Sequence, residues 1–379
     1  MKKIVFGITS LGIGGAERVL VDVANKLKDE YDITIFSLYG EGAFEKELDS
    51  KIKLISLYDK PYESMSNLKR KVIPIYVFIC GKLIFNKYIK DRFDTEVAFL
   101  EGPITRIFRY KDKCKKVVWV HNDIRKVFGN NLKSKIKGLV DKKIYEKYDN
   151  IVFVSEDNKL AFNEMYLNSK NTNLESKENV IYNYIDKERI LKKAETNDTK
   201  EAEETAEICI KEIVDEKTSI VTVARLVEQK AIDRLARVHK RLIDDGLEHN
   251  IYVVGDGPEK HKIEELIDSL NIQNSFKLLG KKENPYPYIK KADYFALLTY
   301  FEGYPMAVEE AKILDKKIII TDTAAKEVVK GYGKKAIFDN NEQSIYEGLT
   351  EILKNGMKIE ENNYKYDNSY LVEEIRKII

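Results

Sequence analysis

Residues 299–311 read Thr299-Tyr300-Phe301-Glu302-Gly303-Tyr304-Pro305-Met306-Ala307-Val308-Glu309-Glu310-Ala311, and this stretch decides the fold. The apolar run before it, Tyr294 to Leu298, has the length and composition of a buried strand. Pro305 suits a first helical turn, where no amide donor is missed, and Gly303 allows close backbone approach or positive φ. Glu302 is therefore expected on the loop and Glu310 two turns into the helix, with amides from Tyr304 to Val308 open between them. Open amides at a helix start suit a phosphate or a sugar hydroxyl. Taken alone, the same residues also read as a loop and helix carrying two solvated acids.

Working outward, strand, loop and helix alternate along the chain. Ile4 to Ile8 runs into Thr9-Ser10-Leu11-Gly12-Ile13-Gly14-Gly15, and a helix follows with Val19, Leu20, Val23 and Leu27 on one face. A dinucleotide fingerprint would need a third glycine where Glu17 stands. The strand Ile33 to Phe36 ends in Ser37-Leu38, with no acid for a ribose, so NAD binding is disfavoured. Asp94 to Leu100 leads to Glu101-Gly102-Pro103, and Val117 to Val120 leads to His121-Asn122-Asp123. Ile151 to Ser155 closes this half. Strand ends in one open parallel sheet share an edge, so these loops are expected to converge on Gly14 and Gly15.

A second half begins with Ser219 to Val223. Arg225 and Lys230 then bracket a loop before an amphipathic helix bearing Ile232, Leu235, Val238 and Leu242. Two cations at a strand's carboxyl end can neutralise a diphosphate. Further strands are expected at Ile251 to Val254, Phe276 to Leu279 and Lys317 to Ile320. Lys187 to Lys217 reads as a polar helix and connector, and Asn368 to Ile379 as an amphipathic helix.

The string Glu302-Gly303-Tyr304-Pro305 with Glu310-Ala311 resembles the signature of the retaining glycosyltransferases of family 4. Gly14-Gly15-Ala16-Glu17-Arg18 resembles their N-terminal glycine loop, and Trp119-Val120-His121-Asn122-Asp123 their His-Asn site. Val180 to Asp186 is similar to the hinge-side turn. Ala224-Arg225-Leu226 with Lys230-Ala231 resembles the phosphate motif, although Ala224 and Ala231 replace the usual glycines. Ala324 and Ala325 depart from the pattern in the same way.

The resemblance implies an α/β protein of the GT-B fold, with two Rossmann-like domains whose parallel sheets face each other across a cleft. Residues 1–182 would form the acceptor side and 183–358 the nucleotide-sugar side, with a helical tail, 359–379, packing back on the first domain. It assigns catalysis to Glu302, His121, Arg225 and Lys230. Donor binding falls to Gly14, Gly15, Arg225, Lys230, Gly303, Tyr304, Pro305, Met306, Ala307 and Glu310, the last on the ribose hydroxyls. Glu101, Asn122 and Asp123 are acceptor-side candidates. The backbone near Gly280 is placed to meet the base. No cofactor or metal is expected, because the two cations do a metal's usual work; a UDP-linked sugar enters as substrate. In the family's front-side route, the leaving phosphate takes the acceptor proton and configuration is retained.

The 379 residues, 43% hydrophobic, fit two ordinary domains of a soluble protein. Cys80, Cys114 and Cys209 are far apart and make no ligand or redox motif, which suits a reducing compartment. The first residues read as a strand rather than a signal peptide. Val72 to Phe85 is broken by Pro74, Gly81 and Lys82 and falls short of the roughly 20 residues of a membrane span.

The net charge of +2 hides a basic surplus between Lys60 and Lys147, which suggests an anionic partner. Lys69 to Phe93, basic and aromatic-rich, reads as a helix at an anionic membrane surface, with an internal helix bearing a solvated side as the alternative. No nucleic-acid recognition module appears. The expected activity is transfer of a hexose from a UDP-sugar to a lipid-linked or glycan acceptor in capsule or exopolysaccharide synthesis. The expected place is the cytoplasm, peripheral at the inner face of the plasma membrane. A UDP-sugar 2-epimerase-like isomerase and a catalytically silent, membrane-attached binding protein are the competing readings.

Overall fold

A computed structural model describes residues 1–110, 114–122, 124, 140–166, 174–195, 217–360 and 364–379. Asp123 and most of the connector expected at 187–217 lie outside the described residues. The chain divides into two compact units, Met1–Ile185 with Asp367–Ile379, and Asp186–Tyr366.

In the first unit the strands are β1 (Lys2–Ile8), β2 (Tyr31–Tyr39), β3 (Lys53–Tyr58), β4 (Thr95–Ala98), β5 (Lys115–Val120), β6 (Asn150–Phe153) and β7 (Glu178–Val180). They pair in the order β3-β2-β1-β4-β5-β6-β7, every pair parallel. The helices are α1 (Gly15–Leu27), α2 (Asn67–Tyr88), α3 (Pro103–Phe108) and α4 (Glu156–Tyr166). Central strands covered on both faces need unbroken apolar runs, and Ile4, Val5, Phe6 and Ile8 of β1 are fully buried.

The second unit holds β8 (Ser219–Val223), β9 (Asn250–Val254), β10 (Phe276–Gly280), β11 (Tyr294–Leu297), β12 (Lys317–Thr321) and β13 (Lys335–Phe338). Their order is β10-β9-β8-β11-β12-β13, again all parallel. Its helices are α5 (Lys187–Glu195), α6 (Ile232–Asp244), α7 (Lys260–Ser269), α8 (Tyr286–Lys291), α9 (Met306–Ile313), α10 (Ala325–Val328) and α11 (Glu342–Asn355). Ile220, Leu235, Val238, Ile251, Phe276 and Ile319 share its core.

Each unit is a doubly wound, Rossmann-like parallel sheet, the kind of domain the GT-B resemblance implies twice over. Strand order reverses between β1 and β4 in one unit and between β8 and β11 in the other. Open α/β sheets bind ligands beyond the strand ends at such reversals. The loops bearing Gly14 and Glu101 flank the first reversal; those bearing Lys230 and Glu302 flank the second.

The final helix, α12 (Ser369–Ile378), belongs to the first unit. It buries Leu371, Val372 and Ile375, its Arg376 pairs with Glu30 at 2.6 Å, and Asn368 Nδ2 donates to Ile185 O. Two expected boundaries shift. Residues 359, 360 and 364–366 stay with the second unit: Glu360 N donates to Gly333 O, and the Tyr364 ring meets Tyr332 edge-on. The first crossing falls after Ile185, because Ile181 N still donates to Phe153 O and Ile185 is fully buried in the first unit. Six elements, β3, β7, β13, α4, α10 and α11, were not assigned from sequence. The three strands are short and only part-buried, so their apolar runs are weak. No helix among the described residues is long and apolar enough to cross a membrane.

Candidate active site

The second unit's site is built from two loops stapled together. After β8 the chain passes through Arg225 to a single 3₁₀ turn, Glu228–Lys230, and enters α6. After β11 it carries Thr299 to Glu302. Tyr300 N donates to Gln229 O, and Gln229 Nε2 donates to Phe301 O at 2.8 Å. That register brings Lys230 Nζ to 2.7 Å from Glu302 Oε1. The Glu302 side chain is 5% exposed and that of Lys230 19%, so the carboxylate is enclosed while the ammonium keeps one side open. Arg225 lies on the surface of the same loop, and its guanidinium takes no partner among the described residues.

The loop is held from behind by the chain after β9. Leu226 N donates to Asp256 O, and Glu259 N to Leu226 O. A Cβ on Gly255 would lie 1.8 Å from Ala224 O, and one on Gly257 2.3 Å from Leu226 O, so only glycine admits this backbone contact. Of the four alanines standing where glycine is usual, only Ala231 takes a left-handed conformation, with φ 50°.

Helix α9 begins at Met306, with Pro305 as its extended N-cap and not in the first turn as expected. Of the two uses open to Gly303, close backbone approach or positive φ, the second is not taken, and the Val308 amide, expected open, is not open because it donates to Pro305 O at 3.1 Å. Pro305 has no amide hydrogen to offer; the amides of Met306 and Ala307 remain without a partner among the described residues.

The two adjacent acids of α9 have separate jobs. Glu309 is buried, 3.0 Å from Lys312 Nζ, and accepts from Tyr304 OH at 3.1 Å. Glu310 is half-buried and accepts from Tyr286 OH at 3.0 Å, and Tyr286 OH in turn accepts from Arg189 NH1 at 3.2 Å. Burial and the neighbouring Glu310 charge push the Tyr286 phenol up, so it remains the donor. Tyr286 and Arg189 were not anticipated. A Tyr in the short helix α8 is indistinguishable from a core residue until the fold places it beside Glu310.

In the first unit Glu101 gathers the polar cluster. Its carboxylate accepts from His121 N at 3.0 Å, from Asn122 N at 3.1 Å and from the Asn122 side-chain amide. Burial pushes the Glu101 carboxyl up, against the opposing pull of those donors. His121 shares a ring contact with Phe99 at 5.0 Å and bonds to the Phe99 backbone carbonyl. Burial drives its pKa down to about 3, so the ring is neutral, and Nε2 is buried with no partner.

Gly14 caps α1 in an extended conformation, and Gly15 is exposed. The Glu17 carboxylate occupies the space a Gly14 side chain would need, 2.1 Å from an added Cβ. Burial pushes the Glu17 carboxyl up, and the Glu101 charge adds to the effect. Glu17 thus joins the cluster, a role hidden in sequence behind its reading as a missing glycine. Arg18 of the same motif is buried in ion pairs with Asp22 at 2.8 Å and Glu47 at 2.7 Å.

Residues 204–369 match the family model described as glycosyl transferases group 1. The chain is 27% identical over 366 residues to a Campylobacter jejuni N-acetylgalactosamine-N,N'-diacetylbacillosaminyl-diphospho-undecaprenol 4-alpha-N-acetylgalactosaminyltransferase, covering 93% of this chain and 90% of that one. An uncharacterized glycosyltransferase of Methanocaldococcus jannaschii is 28% identical over 228 residues, which span 60% of this chain and only 53% of the relative. Among solved structures, Anabaena Alr3699/HepE in complex with UDP and glucose superposes with a TM-score of 0.69 at 16% identity, covering 94% of this chain and 90% of that one.

Proposed function

We propose that this chain, a member of the glycosyl transferases group 1, moves a hexose from a UDP-linked donor to a lipid-linked glycan acceptor with retention and without a metal. The observation that carries the reading is the Lys230–Glu302 pair at the β8/β11 reversal, with Arg225 open on the same loop. A diphosphate arriving there meets two cations, and both can stabilise the charge that builds as the glycosidic bond breaks. Glu302, already enclosed, is the carboxylate beside the transferred sugar. Met306 and Ala307 supply amides at a helix start, where partial positive charge favours an anion. Glu310, fixed by Tyr286, is set to accept from ribose hydroxyls.

In the first unit the neutral His121 presents Nε2 as a hydrogen-bond acceptor for a sugar hydroxyl, and Glu101 with Asn122 forms the acceptor-side cluster. A UDP donor accords with the nucleotide held by the Anabaena protein of the same fold, and a lipid-diphosphate acceptor with the name of the Campylobacter relative. Such an acceptor sets the work at a membrane surface, which we assign to the cytoplasmic face of the plasma membrane. Polysaccharide synthesis for the cell surface, capsule or exopolysaccharide, is the process we assign.

The test is incubation with labelled UDP-sugars. Slow UDP release in water that accelerates with a polyprenyl-diphosphate glycan supports transfer. Recovery of an isomerised UDP-sugar replaces this reading with an epimerase, and binding without turnover replaces it with a silent binding protein.

A further inference from the structure

We propose that the outer face of α2 is a docking surface for an anionic phospholipid bilayer. This helix has two apolar faces. Ile73, Val77, Gly81, Ile84 and Phe85 are buried, with the Phe85 ring edge-on to Phe108 of α3 at 5.7 Å. On the opposite side Leu68, Val72, Ile75, Ile79 and Leu83 recur at steps of four, three, four and four residues. They form a stripe about 22 Å long at the rise of an α-helix. The stripe is open to solvent: Leu68 is 74% exposed, Ile79 71% and Leu83 70%. A surface helix ordinarily places polar residues there.

Charge identifies the occupant. Lys71 and Lys82 border the stripe along one edge, Lys69 and Lys87 along the other, and all four are exposed. The helix Asn67–Tyr88 contains no Asp or Glu. An apolar stripe framed on both sides by cations complements a bilayer whose headgroups carry phosphate: the aliphatic side chains enter the acyl boundary and the ammonium groups stay among the phosphates. A second copy meeting the first through this face would bring the lysine rows together, which like-charge repulsion opposes.

The surface uses none of the residues assigned to transfer, so its test is separable. The full chain is sedimented with vesicles of phosphatidylglycerol mixed with phosphatidylcholine, and with phosphatidylcholine alone. Binding is expected to the mixed vesicles, weaker by about tenfold or more on phosphatidylcholine alone or at high salt. Ile79→Glu and Leu83→Glu, both at exposed positions, are each expected to cut binding by about tenfold or more while UDP release measured without vesicles is unchanged. The proposal is overturned if the active chain does not sediment with phosphatidylglycerol vesicles, or if both variants bind as the parent does. A stable dimer that Ile79→Glu dissolves would also overturn it, by showing a second copy as the occupant. Vesicle binding by a chain that turns over no donor leaves this surface standing and removes the transfer reading instead.

Discussion

Lys230 Nζ and Glu302 Oε1 are 2.7 Å apart, and the carboxylate of the pair is the more deeply enclosed partner. The pair therefore has both a structural and a chemical consequence, and substitutions can separate them. Lys230→Ala leaves a buried carboxylate without its cation, at a cost of about 3 kcal/mol, the lower end of the usual range because Lys230 keeps an open side. It is also expected to lower donor turnover by about a hundredfold, the loss typical of one charge-stabilising donor. Lys230→Met combined with Glu302→Gln removes both charges together, so stability returns toward that of the parent while turnover stays low. Urea denaturation and UDP release measure the two effects. A double variant that regains activity would take the diphosphate away from Lys230.

Glu310 and Tyr286 make a second testable pair. The phenol holds the carboxylate from one side and receives Arg189 on the other. Tyr286→Phe removes one hydrogen bond to a charged group, worth about 1.5–3 kcal/mol, without changing the ring's packing. The expected result is a donor KM raised by about tenfold, with kcat within about twofold of the parent, since Tyr286 orients the acid rather than touching the sugar. Glu310→Ala is expected to weaken UDP binding further in a calorimetric titration. UDP affinity unaltered by Glu310→Ala would refute the ribose assignment, and a fall in kcat alone for Tyr286→Phe would refute the orienting role.

These two pairs show what was legible in the chain. Lys230 and Glu302 follow strands whose mostly apolar runs are legible, so the alternation of strand, loop and helix followed from period and punctuation, while the GT-B fold and the roles of the two residues came from the family resemblance. The pairing itself followed from neither, because the staple between Gln229 and the Tyr300–Phe301 backbone depends on which strands are neighbours. Tyr286 and Arg189 were illegible for a related reason: each is far in sequence from Glu310 and carries no local signal. Glu17 was read as the absence of a third glycine and as part of the glycine-loop string, with no role of its own, and its company with Glu101 appears once β1 and β4 lie side by side. The part-buried strands β3, β7 and β13 escaped because an edge position needs little apolar patterning.

Ala231 records a local conflict the sequence did raise. Glycine is usual there, and the structure holds alanine at φ 50° and ψ 38° with 1% of its surface exposed. A left-handed L-residue costs about 1–2 kcal/mol. Ala231→Gly relieves that cost but loosens the unfolded chain, leaving an expected gain of about 0.5–1 kcal/mol. Ala231→Val brings a β-branched side chain into a disfavoured conformation with no free space, and is expected to lose about 2–3 kcal/mol. The urea midpoints of the two variants should fall on opposite sides of the parent. Equal midpoints would mean the turn relaxes to another conformation in solution.

The deepest polar chain of the second unit predicts its behaviour in acid. Ser275 Oγ lies 2.8 Å from His239 Nε2, His239 Nδ1 lies 2.9 Å from His249 Nε2, and His249 Nδ1 lies 2.8 Å from Leu247 O. One assignment satisfies every contact with both rings neutral: Ser275 donates to His239, His239 to His249, and His249 to the carbonyl. A proton added to either ring destroys an acceptor inside the fold. Burial first, and the neighbouring His249 second, push the His239 pKa down to about 3, and burial lowers His249 as well. In the unfolded chain each imidazole titrates near 6.5.

Between those values the unfolded state binds protons that the folded state refuses. Stability is thus level above about pH 6.5 and is lost as pH falls toward 3. From pH 7 to pH 5 the loss for His239 is about 2 kcal/mol, with more from His249. In the first unit His121 acts in the same direction, but Glu17 and Glu101, whose carboxyls are pushed up, gain stability as they take protons in the fold and oppose it. Acid is therefore expected to weaken the second unit before the first. Hydrogen exchange at the amides of β9 and β10, compared at pH 7 and pH 5 after correction for intrinsic rates, reads the second unit. The fluorescence of Trp119, the only tryptophan in the chain, reads the first. Imidazole resonances of His239 and His249 that titrate near 6.5 in the folded protein, with exchange protection unchanged at pH 5, would show that the buried chain accepts a proton without strain.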